Sequence, residues 1–129
     1  MRLVGWFEFV TGLAIAGLWG VLLATGQVAE LTDGRRDILF HLGAEFTTAL
    51  LLAAAGIAIL RTGSQRSAVF AALAAGSLLY TTINSAGYYA ELGQWPVVAM
   101  FAVLGVATVS AAVALMRAAP DRRSVRDER

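Results

Sequence analysis

The sequence predicts an all-α fold, an antiparallel four-helix bundle lodged in a bilayer, and three observations carry that reading. Hydrophobic residues form 58% of the 129-residue chain and the mean hydropathy is +0.69, above the roughly 45–50% apolar share of soluble domains. They are gathered into long blocks instead of being spread over amphipathic elements with a polar face. The arginines stand at the ends of those blocks.

The first block, residues 3–24, is interrupted only by Glu8 and Thr11. At about 1.5 Å per residue it matches a hydrocarbon core of about 30 Å. The second, third and fourth blocks cover 38–60, 67–90 and 95–116, each long enough to cross. Residues 1–118 therefore form the bundle. The loop at 25–37 carries Gly26, Asp33, Gly34, Arg35 and Arg36 and reads as polar. Residues 61–66 read as a tight turn, and 91–94 as a short connection before Pro96, which suits a first helical turn. Short connections make successive helices antiparallel neighbours. The tail, 119–129, has alternating charge and no apolar periodicity, and is expected to be disordered or to lie loosely on the cytoplasmic membrane surface.

Arginine placement sets the orientation. Arg2, Arg61, Arg66, Arg117, Arg122, Arg123, Arg126 and Arg129 fall on one side of four alternating spans, and only Arg35 and Arg36 on the other. The positive-inside rule then puts both termini in the cytoplasm. A cleaved signal peptide is the competing reading of the first block. That block is longer than a usual 7–15-residue signal core, and Glu8 lies inside it.

The net charge of +1, with arginines at segment ends and on no common face, excludes a nucleic-acid surface. The absence of cysteine excludes disulfides, thiolate catalysis, iron–sulfur clusters and thiolate-bound zinc within the chain.

Glu8, His41 and Glu45 are the ionisable residues inside the blocks. An acidic side chain near the centre of a span costs roughly 2.5–3.5 kcal/mol, so each asks for a partner or a task. His41 and Glu45 are four residues apart and share a helix face. Tyr80, Asn84 and Tyr88 repeat at the same interval in the third block, with Ser77 and Ser85 beside them, at a depth matching His41 and Glu45 in an antiparallel pair. The expected site is a pocket in the outer half of the bundle. In it His41 and Glu45 exchange a proton, and Tyr80, Asn84 and Tyr88, with Trp19 and Trp95 nearby, hold a ligand. The alternative is a hydrogen-bonded clamp between helices, worth about 1–2 kcal/mol per contact at most. Glu8 either pairs with Arg61 or Arg66 or serves as a second acidic site. No metal is expected, since a di-iron bundle needs Glu-x-x-His motifs on two helices. No cofactor is named by the residues, and a single histidine leaves haem ligation to His41 alone.

Arg2, Leu3, Val4 and Gly5, followed by Phe7, Phe9 and Gly12, resemble the opening of the DoxX-like proteins, small four-helix bacterial membrane proteins. The likeness covers the length, the four-span pattern and the first helix. It implies a link to quinone chemistry, which some of that group share, but carries no functional residue across. His41, Glu45 and Asn84 are also similar in type, though not in order or spacing, to the pocket residues of membrane-embedded sterol isomerases. The sequence thus points to a binding or accessory subunit accepting a quinone or lipid. The rivals are an enzyme moving a proton on a lipid-like substrate, a transporter, and a structural partner of a larger membrane complex. Small residues along each block would serve packing within the bundle or pairing into a homodimer.

Overall fold

The computed structural model describes residues 1–26, 28, 34 and 36–118. Among them are four helices and no strand: α1 (Arg2–Ala24), α2 (Asp37–Thr62), α3 (Gln65–Glu91) and α4 (Trp95–Ala118). The helices overlie the four apolar blocks, and each is long and apolar enough to cross a membrane. The tail at 119–129 and much of the loop at 25–37 lie outside the described residues.

The second connection is shorter than its charges suggest, because Arg61 and Arg66 are themselves helical and only Gly63 and Ser64 link α2 to α3. Gly63 takes φ +55°, a left-handed conformation that closes a helix with little strain only in glycine, and its N–H donates to Ile59 O. Ser64 then caps α3, its hydroxyl accepting from the Ser67 N–H at 3.2 Å. Gly93, at φ +68°, turns the chain from α3 into α4.

The helices pack in chain order: α1 mainly on α2, α2 on α3, and α3 on α4, while α1 and α4 barely meet. Contacts descend one helix as they climb the next. Gly5 lies against Ile59, Gly12 against Ala49 and Ala53, and Trp19 against His41. α2 and α3 are the more buried pair, and α1 and α4 expose most of their surface. The core runs through Val4, Leu52, Ala55, Ala71, Leu78 and Leu115.

Glycines bring α1 and α2 together. A Cβ on Gly12 would stand 2.6 Å from Ala49 O, and one on Gly56 would stand 2.6 Å from both Gly5 O and Phe9 N. The stripe of Gly12, Ala16, Gly20 and Ala24 is only partly used, since Gly20 and Ala24 are exposed. Each four-residue step rotates the face by about 40°, whereas the seven-residue step from Gly5 to Gly12 drifts by only about 20°. The glycine pair at the shorter drift keeps contact.

Candidate functional site

Side chains from three helices form a chain of contacts through Glu45 and His41. Glu45 projects from α2 and is 7% exposed. His41, one turn earlier on α2, brings Nε2 to 3.9 Å from Glu45 Oε1. That separation is too long for a hydrogen bond, and it is an ion pair only when the imidazole carries a proton. From α3 the Ser85 hydroxyl donates to the same Oε1 at 3.4 Å. From α1 the Trp19 ring meets His41 edge-on, with centroids 5.6 Å apart and planes at 73°. His41 remains 30% exposed at its side chain, so the site reaches the surface through the imidazole.

One turn along α2 from Glu45, the hydroxyls of Thr48 and Ser77 meet at 2.7 Å, again joining α2 to α3. Thr81 and Thr82 are buried but return their hydroxyls to Leu78 O, and Thr108 does the same to Leu104 O. A hydroxyl bonded to its own helix brings no interhelical energy, so Thr48–Ser77 is the neutral polar contact to test. Thr48→Val and Ser77→Ala should couple by about 0.6 kcal/mol, and by no more than about 1.7 kcal/mol, in a double-mutant cycle of unfolding in mixed micelles. Zero coupling would remove this contact from the account of the α2–α3 interface.

Two of the remaining expected site residues, Tyr80 and Asn84, do not join this cluster. Tyr80 is 68% exposed and Asn84 is exposed, both on the side of α3 that does not bond to Glu45. The reason is rotational: neighbouring residues differ by about 100° around a helix, so turning Ser85 toward Glu45 turns Asn84 away. Tyr88 is 48% exposed and lies edge-on to Tyr89, which stacks on Phe101 of α4. Trp95 is 66% exposed at the start of α4. Of the expected lining, Tyr80 and Asn84 face outward, and the contacts around Glu45 are made by His41, by Ser85 and, through His41, by Trp19. Two clefts, of about 410 and 240 Å³, open instead between α3 and α4, and neither is lined by a member of that cluster.

Thr48 escaped the sequence reading because threonine is unremarkable in an apolar helix. Its only signal was its three-residue spacing from Glu45, which keeps both on adjoining faces.

Glu8 is fully buried, and neither carboxyl oxygen has a hydrogen-bond partner among the described residues. It occupies the face of α1 that also buries Val4, Gly5 and Gly12. Arg61 and Arg66, its expected partners, are exposed and make no ion pair with it. No group of three or more acidic, histidine or cysteine side chains suited to a metal occurs among the described residues.

Fold and site together define, among the described residues, an all-helical protein of four long apolar helices in which a buried carboxyl adjoins a partly exposed imidazole. Residues 1–128 match the family model described as a domain of unknown function, DUF8058, and the chain belongs to that family. No curated protein and no solved structure matches it.

Proposed function

We propose that this is an integral membrane protein, an antiparallel bundle of four spans with both termini in the cytoplasm of a bacterium. In this reading it binds the polar end of an amphipathic molecule, a quinone or lipid, at Glu45 and exchanges a proton with it through His41. The observation that supports the reading is the position of Glu45: nearly buried, yet in contact with a half-open imidazole. A carboxyl held this way is a poor source of stability, because desolvation offsets much of any Coulombic gain. It is well placed to accept or donate a hydrogen bond to a carbonyl or hydroxyl entering past His41. The likeness of the first helix to the DoxX-like group favours a quinone among such ligands.

The rival with support from a specific contact is the clamp, since Ser85 ties Glu45 across the α2–α3 interface. Purification in mild detergent followed by extraction and mass spectrometry separates the two. Loss of a charge-assisted hydrogen bond of about 1.5–3 kcal/mol predicts a roughly tenfold or greater fall in retained small molecule for Glu45→Gln, and His41→Ala should weaken retention as well. A clamp predicts a lower unfolding midpoint for Glu45→Gln with no bound molecule in either protein, and that result would sink the binding role.

A further inference from the structure

The outward surface of α3 differs in kind from those of its neighbours. α1 exposes Leu13, Leu18 and Val21, and α4 exposes Met100, Val103 and Val106, all suited to lipid tails. The exposed hydroxyls within α2 and α4 are satisfied at home, Thr47 by Gly43 O at 2.7 Å and Ser110 by Val106 O at 2.8 Å. On α3, Tyr80 and Asn84 are exposed one turn apart, and neither makes a hydrogen bond among the described residues. Counted from the middle of the helix, they lie about 3 and 9 Å out, inside a hydrocarbon half-thickness of about 15 Å. Gly76 and Gly87 bracket them, exposed, with nothing within 4 Å of where a Cβ would stand.

We propose that this face of α3 is the contact between two copies of the chain, arranged in parallel about a two-fold axis along the membrane normal. The argument rests on the four-span reading but is independent of the Glu45 site. In such a pair each residue meets its own counterpart at equal depth. An amide carries both donor and acceptor and is its own complement, so Asn84 meets the partner's Asn84 with each amide supplying what the other lacks. Lipid tails supply neither. Tyr80, Asn84 and Gly87 follow the four–three spacing of a coiled-coil seam, with Gly76 one turn before Tyr80, and the two glycines let the backbones approach closely enough for the short amide to reach. Ile83 stands on the rim of the larger α3–α4 cleft, so a helix seated on the seam adjoins that groove as well.

The chain has no cysteine, so single-cysteine variants report contacts without background. In native membranes under mild oxidation, Leu73→Cys and Ile83→Cys should form disulfide-linked dimers, whereas Val10→Cys on α1 and Val103→Cys on α4 should stay monomeric. Adding Asn84→Leu to Ile83→Cys should weaken dimerisation roughly three- to tenfold, with Asn84→Gln retaining most of it. Counting photobleaching steps for the unsubstituted, labelled chain in dilute liposomes should give two. Equal cross-linking from α1 and α4, no effect of Asn84→Leu, or single steps at every dilution would each overturn the dimer, including the case in which a lipid or another protein covers this face. Alkaline extraction tells the failures apart: a chain stripped from the bilayer refutes the four spans as well, and an embedded single copy refutes only the pairing.

Discussion

Gly56→Ala is expected to lower the unfolding midpoint in detergent more than any other single methyl addition along the α1–α2 seam. The added Cβ would sit 2.6 Å from Gly5 O and from Phe9 N. Both obstacles are backbone atoms, which cannot swing aside as a side chain can. α1 and α2 would have to separate along the seam, loosening the Gly12 contact with Ala49 and Ala53. Overpacking of this kind costs about 1–3 kcal/mol, and the upper part of that range is expected here because rotamer changes offer no relief. Gly12→Ala should behave alike. The two together should cost less than their sum, since one separation of the helices accommodates both. Gly20→Ala is the control: nothing lies within 4 Å of its Cβ position, so it should be neutral or gain up to about 1 kcal/mol of helix propensity. Equal midpoints for Gly56→Ala and Gly20→Ala would show that the close glycine contact does not hold these helices.

Glu8→Leu is expected to stabilise the fold. Leucine keeps a comparable volume and removes two oxygens that are buried without hydrogen bonds. Leaving such a group unsatisfied costs about 1–3 kcal/mol, so a gain of that order should appear as a higher unfolding midpoint. Glu8→Gln, which keeps polar atoms in the same place, should recover little of it. A loss of stability in Glu8→Leu would instead mean that the carboxyl has a partner in the folded protein. A stabilised but inactive Glu8→Leu protein would mark the carboxyl as a group kept for function at a cost in stability. It would then join Glu45 as an acidic site of the same chain, at another level of the bundle.

The two carboxyls show how far sequence reasoning reaches in this protein. That both needed explanation was evident from hydropathy alone, because each interrupts an apolar block. The partnership of His41 with Glu45 was also legible, since residues four apart on one helix must adjoin. Which residues of α3 would answer them was not. The stripe of Tyr80, Asn84 and Tyr88 looked suited to a polar pocket, yet the fold turns Ser85 to Glu45 and leaves Tyr80 and Asn84 exposed. Glu8 shows the same limit: its depth along α1 could be estimated, but nothing along the chain says whether Arg61 or Arg66 can reach it.

What the sequence determined by itself is one-dimensional: the number and length of the helices, the short turn between α2 and α3, and the position of each polar group along its helix. These follow from hydropathy and backbone stereochemistry, both local along the chain. The rotation of each helix about its axis was decided only by tertiary packing. Near contact of Gly5, Gly12 and Gly56 orients α1 on α2, and the Glu45–Ser85 and Thr48–Ser77 contacts orient α3. Adjacent residues lie about 100° apart around a helix, so that rotation alone separates a residue of the site from one facing outward.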